Sequence, residues 1–376
     1  MKAPLRLVLI FLPACSAAVL FAAGFPDSVL AGDALDYRNR MVEMFSGKIP
    51  YFQFPFEHLP VMILPMAVAW LLGGSQELRT FAFVLAAVSS VFVIATGLII
   101  QRIEADLKIV GLAVRWTLLS VPLLPFLLFR NDSFVVLLVM AGILSTIRGK
   151  SGWSVLFLGA GTLAKGWPFL WAPVDWWKGR RAKAAFLASF GVAALAIQLS
   201  PAVQSIQDPQ GIHSETLVGG VVGLVRAIRG VDLELVRSAS VYVDAPAWLL
   251  SFHLLAGGLI AAVALYRLGS SFDWKQALSF MGAMTTALIL ASPFFSTQYV
   301  AWVSPFAAVD ERATFAMLGV NVASLILLTS WNDLFDGHVW WWGLLVVRTL
   351  VFAWVGLRLA RISGVQNGLR APIIMR

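Results

Sequence analysis

Leu59-Pro60-Val61-Met62-Ile63-Leu64-Pro65-Met66-Ala67-Val68-Ala69-Trp70-Leu71-Leu72 is the stretch on which the topology of this chain turns. It is apolar throughout, and so is most of what surrounds it. The chain has 376 residues, 59% of them hydrophobic and 13% charged, with a mean hydropathy of +0.83. A soluble domain is about half apolar and about a quarter charged. The composition predicts an all-α polytopic membrane protein; short alternating strands of the outer-membrane barrel kind are not found.

A span takes roughly 20 apolar residues, fewer where a helix is half-buried or broken. Twelve candidates can be read: Leu5–Ala23, Thr80–Ile100, Ile109–Phe129, Ser133–Ile147, Trp153–Ala164, Pro168–Trp177, Ala184–Ser200, Pro246–Leu268, Ala277–Ser292, Tyr299–Val309, Ala313–Thr329 and Val339–Leu357. Leu59–Leu72 either adds a thirteenth or lies at the surface within one long first loop. Charge arbitrates. If it does not span, one side of the membrane collects Arg102, Lys108, Arg148, Lys150, Lys178, Arg180, Arg181, Lys183, Arg267, Lys275, Arg312 and the arginine-rich tail. The acids Asp33, Asp36, Glu43, Glu57, Asp132, Glu215, Asp232, Glu234 and Asp244 then fall on the other. If it spans, that order breaks. The positive-inside rule favours the first option, with Leu59–Leu72 as a surface-lying or re-entrant helix. Residues 1–376 then form one integral membrane domain with long outer loops at 24–79 and 201–245.

The net charge of +8 is scattered in short runs between apolar segments, as membrane anchoring requires and nucleic-acid binding does not. One cysteine, Cys15, allows no intrachain disulfide. It follows Leu12-Pro13-Ala14, faintly like a lipoprotein cleavage site, but the expectation is an uncleaved first helix. Leu217–Arg229 reads as an amphipathic helix on the outer leaflet. Tryptophans such as Trp340-Trp341-Trp342 are expected in interface belts and lipid-facing bulk.

Ionisable residues at breaks in the apolar pattern are the candidates for chemistry. Asp33 and Asp36 share a face on a helical turn; they read either as a general base with a second carboxylate or as solvated acids at a helix start. Arg130-Asn131-Asp132 is either a turn or a polar cluster at the mouth of the bundle. Lys165, followed by Gly166 and Pro168, interrupts two half-spans, and a lysine there can bind phosphate. Arg348 sits nearly mid-span and needs a carboxylate, a phosphate or a water-filled cavity. In Ser296-Thr297-Gln298-Tyr299-Val300-Ala301-Trp302, Gln298 and Tyr299 can hydrogen-bond a sugar and Trp302 can stack on one, or the segment is an aromatic girdle at a helix start. His58, His213, His253 and His338 show no metal-ligand spacing, and there is no nucleotide-binding motif. No metal or other cofactor is expected. An enzyme built this way takes its activated substrate from the lipid.

These motifs resemble a family. Asp33 with Tyr37, then Gly47, Pro50-Tyr51, Glu57 and Pro60, resembles the first outer loop of the GT-C glycosyltransferases. The likeness is closest to the polyprenol-phosphate-mannose-dependent mannosyltransferases of glycosyltransferase family 87, the DUF2029-like group. Phe129-Arg130-Asn131-Asp132 resembles that group's Arg-aromatic-Asp turn, Ala164-Lys165-Gly166-Trp167-Pro168 its Lys-x-x-Pro break, and 296–302 its Ser-x-Gln-Tyr-x-x-Trp segment. Asn131 stands where the pattern has an aromatic, and His58-Leu59 where it has Tyr-Pro. The resemblance implies a polyprenyl-phosphate sugar donor, a glycan or glycolipid acceptor and inverting transfer at the outer face of a cell membrane, the bacterial plasma membrane. It implies Asp33 as general base with Asp36 second, and a donor site drawn from Lys165, Arg130, Asp132, His58, Glu57, Gln298, Tyr299 and Trp302. The rival reading is a transporter or flippase of polyprenyl-linked sugars, for which paired inverted repeats are the expected mark; none is evident.

Overall fold

The structure is a computed structural model. It describes residues 12–13, 15–16, 29–56, 58–74, 77–199, 212–231, 235–237, 241–243, 247–267, 273–292 and 295–363. Most of Leu5–Ala23, Glu57, the tail from 364 and parts of 201–245 lie outside the described residues.

The chain is mostly helical. Among the described residues, four helices are long and apolar enough to cross a membrane: Leu78–Leu107, Leu112–Phe129, Glu311–Thr329 and Val339–Ile362. The second is interrupted by a 3-10 turn at Val121–Leu123, where Pro122 removes a backbone donor. Shorter helices among the described residues include Asp132–Ile147, Ser151–Lys165, Arg181–Gln198, Ser251–Arg267 and Trp274–Ala291.

Side-chain pairs fix which helix ends lie together. Asp132–Ile147 and Ser151–Lys165 are packed so closely that a Cβ on Gly142 would stand 2.6 Å from Leu158 Cγ; small residues permit such approach between membrane helices. At one end of this hairpin Lys183 Nζ reaches Thr146 Oγ1 at 2.9 Å and Ser154 Oγ at 2.6 Å. At the other, Lys165 faces Asp132. By helical rise the two ends are roughly 15–20 Å apart. The Lys183 end also holds Arg148–Asp106, Arg180–Asp175 and Arg358–Asp310, and Arg115 Nε donates to the Ala308 carbonyl at 2.6 Å. The basic runs thus share one end of the bundle.

Leu59–Leu72 is built from three short pieces. They are a 3-10 turn at Pro60–Met62, a helix at Ile63–Ala69 and a π turn at Trp70–Gly74, which Gly73 kinks with a φ of 112°. His58 before this stretch lines the same cleft as Lys165. Ala86 after it clusters with Leu128 and Phe129, next to Arg130. Met62, Met66 and Ala69 are buried while Leu64, Val68 and Leu71 are exposed. A helix that is apolar on both faces yet half-covered suits the edge of a bilayer.

Two expectations are corrected. Trp341 and Trp342 are fully buried and only Trp340 is exposed, because Leu217–Arg229 presents Gly223 to the ring of Trp342. The helix Leu217–Arg229 forms as expected and packs on Val339–Ile362. The all-α pattern also has an exception: Ile212–His213, Leu235–Arg237 and Val241–Val243 form a three-stranded antiparallel sheet with the third strand central.

Candidate functional site

Asp33 lies in the helix Val29–Phe45, with nearly a third of its side chain exposed. Its Oδ2 is ion-paired to Arg130 Nε. Arg130 is the C-cap of the helix Leu124–Phe129, in extended backbone with φ −122° and ψ 146°, which turns its side chain toward two other segments. Its NH1 donates to Gln298 Oε1 at 2.5 Å and to Ser296 Oγ at 3.2 Å. One guanidinium therefore joins the first loop to the Ser296–Trp302 segment. Burial works against the charge of Arg130, but the carboxylate of Asp33, then Tyr37, Glu215 and Asp132, outweigh it and hold its pKa above the ordinary value.

Asp132 starts the next helix and is buried, its carboxylate at the positive end of the helix dipole. Oδ1 accepts a hydrogen bond from Trp302 Nε1 at 2.7 Å. Lys165 ends its helix at Gly166, whose φ of 76° breaks the run before Pro168. Lys165 Nζ stands 3.9 Å from Asp132 Oδ1 and 5.8 Å from the centre of the Tyr299 ring. Trp302 stacks on Tyr299 and on Trp167, with centroids 4.3 Å and 5.6 Å apart.

His58 packs edge-on against Tyr37 and Phe56, and its carbonyl accepts from the Tyr51 hydroxyl. Burial, then the cations Lys165 and Arg40, push its pKa well below the ordinary imidazole value. His58 is therefore neutral at neutral pH, a hydrogen-bonding group rather than a cation.

A cleft of ≈ 550 Å³ opens beside these residues. Its polar half is formed by His58, Lys165, Gln198, Ser292, Gln298 and Tyr299. Its apolar half runs between Arg181–Gln198 and Trp274–Ala291, over Phe169, Ala194, Leu195, Leu288 and Ile289. Gln298 belongs both to the cleft and to the Arg130–Asp33 group. The arrangement offers a carboxylate, two cations and aromatic faces next to an apolar groove.

The structure thus brings together Asp33, Arg130, Asp132, Lys165, His58, Gln298, Tyr299 and Trp302. Asp36, one turn on from Asp33, is exposed, and Glu57 lies outside the described residues. Arg130-Asn131-Asp132 is a polar cluster rather than a local ion pair, since its two charges bond to different segments. Arg348 finds an internal partner: NH1 donates to Thr297 Oγ1 at 2.8 Å and NH2 to the Glu215 carbonyl at 3.1 Å. Sequence reasoning missed Glu215 and Trp167, and only the neighbouring Lys165-Gly166 break could have pointed to the second. Asp333, Asp336 and His338 place ligand atoms within 4.8 Å of one another, but they take no part in lining the cleft. No protein-family model, curated protein or solved structure matches this chain.

Proposed function

We propose that this protein is a membrane glycosyltransferase of GT-C type with about twelve spans. In this reading it moves a hexose, mannose, from a polyprenyl-phosphate donor to a glycan or glycolipid acceptor on the outer face of the bacterial plasma membrane. One observation supports it most: Asp33 is held by Arg130 at the acid-bearing end of the bundle, and Gln298 links that pair to a cleft that is polar at one side and apolar at the other. A phosphate carrying a prenyl chain and a sugar has the same division.

The chemistry is an inverting displacement. The acceptor oxygen attacks the anomeric carbon while its proton passes to the Asp33 carboxylate. The bond from the anomeric carbon to the phosphate oxygen breaks, and polyprenyl phosphate leaves as an anion. Lys165 meets that anion, Arg130 adds positive charge nearby, and His58 donates as a neutral imidazole. Tyr299 and Gln298 hold the sugar, and Asp132 holds Trp302 in place. The prenyl chain lies along the apolar half of the cleft, with Leu59–Leu72 walling the site. The outer-face assignment follows from the basic runs gathered at the opposite end.

Purified protein in detergent, given polyprenyl-phosphate mannose and an alkyl mannoside, should yield the disaccharide with inverted configuration. If neither this donor nor its glucose and galactose counterparts is consumed, the enzyme reading fails, and flipping of the same lipids in vesicles becomes the measurement to make.

A further inference from the structure

Ser296 is in the N-cap position of the turn Thr297–Tyr299, which runs on into the helix Val300–Ala307, yet Ser296 provides no side-chain cap. The first backbone donors of such a run need partners from elsewhere. Glu215 provides the first from the second outer loop: its Oε2 accepts from Thr297 N at 2.7 Å, and its Oε1 accepts from Thr297 Oγ1 at 2.5 Å. Glu215 is buried with Thr297 and Arg348. Arg348 lies nine residues into Val339–Ile362, roughly 14 Å along the helix, and clamps the pair through Thr297 Oγ1 and the Glu215 carbonyl. The loop is itself tightly made. Thr216 Oγ1 donates to the His213 carbonyl at 2.8 Å and accepts from Gly219 N at 3.0 Å, and a Cβ on Gly219 would stand 2.3 Å from that carbonyl.

Thr297 is the residue before Gln298, and Gln298 is the acceptor for Arg130, which holds Asp33. We infer that Glu215 is a positioning residue for the Asp33 centre: it caps the 297–307 segment from a distance and so sets Gln298, Arg130 and Asp33 in place. The inference rests on the proposed sugar-transfer reading for its kinetic consequence and on geometry alone for the coupling. It assigns the second outer loop a role beyond covering the bundle. A carboxylate is costly to bury without partners, and both oxygens of Glu215 accept from Thr297.

Two measurements on Glu215→Ala, Glu215→Gln and wild type test it: backbone hydrogen exchange in detergent, and mannose transfer from polyprenyl-phosphate mannose. Glu215→Ala should speed exchange at 297–302 and also at 129–132. It should lower kcat about tenfold or more, as small misplacements do, with the donor KM changed by no more than about twofold. Glu215→Gln still accepts from Thr297 N and should recover most of both. Unchanged exchange at 129–132, or unchanged kcat while Asp33→Asn is inactive, overturns the inference. If Glu215→Ala does not fold, Thr297→Val, which removes the hydroxyl bonded to Glu215 and Arg348, carries the exchange test, with partial loosening at 129–132 expected and none overturning it. If wild type transfers no sugar, the proposed function fails, and the exchange pattern alone decides the coupling.

Discussion

Lys165 Nζ stands 3.9 Å from Asp132 Oδ1, beyond hydrogen-bonding distance, while Trp302 Nε1 donates to that oxygen at 2.7 Å. The lysine keeps a counter-charge nearby while its donors face the cleft, as an anion-binding lysine requires. Lys165→Ala should therefore raise the donor KM about tenfold or more, the worth of one charge-assisted hydrogen bond. Lys165→Arg should recover only part, since the planar guanidinium differs in shape and hydration. A stable alanine variant with an unchanged donor KM would remove the phosphate role.

Asp175 is fully buried between Arg180 at 2.9 Å and Lys183 at 3.1 Å. Removing one member of such a group leaves buried charge without compensation. Asp175→Ala should cost about 3–5 kcal/mol of stability without altering the donor KM of the surviving protein, because the cluster lies at the far end of the helices from Lys165. Thermal unfolding in detergent reads the first part and kinetics the second.

His58 and His213 both have pKa values below the ordinary 6.5, mainly through burial. The folded protein keeps them neutral where the unfolded chain binds protons, so stability falls as pH drops below 6.5 toward the folded values. The melting temperature in detergent should be lower at about pH 5.5 than at about pH 7.5, and His58→Gln should flatten part of that slope. A pH-independent midpoint would contradict the burial of both imidazoles.

Sidedness is testable at exposed positions. In a protein with Cys15 replaced, a cysteine at Phe52 should react with an impermeant reagent from outside the cell, and one at Lys150 only after permeabilisation. Phe52 belongs to the first loop, whereas Lys150 follows the Thr146 end of its helix. Labelling of the Lys150 position from outside would invert the topology.

Much of this could be read from residue order. The Lys165 break is local chemistry: a glycine that can take positive φ and a proline two residues later. The expected surface placement of Leu59–Leu72 rests on where the lysines and arginines fall. What could not be read is contact at a distance. Trp302 and Asp132 are 170 residues apart, and Glu215 and Thr297 are 82 apart; nothing local marks either pair. Trp342 looked like an interface residue because its burial depends on a glycine in another helix. The sheet was hidden by strands of two or three residues, too short to show alternation.

The account rests on Asp33 accepting a proton during sugar transfer. Asp33→Asn keeps the size of the side chain and can still accept from Arg130, but it cannot take the proton. Turnover of polyprenyl-phosphate mannose by Asp33→Asn, compared with wild type and Asp36→Asn in one detergent, is the most direct measurement. The expected result is a loss of about 10²–10⁴ in kcat for Asp33→Asn and a smaller loss for Asp36→Asn; the melting temperature should fall for Asp33→Asn, which leaves the Arg130 guanidinium without its counter-charge, and change little for Asp36→Asn. Near-normal turnover by Asp33→Asn would contradict the account.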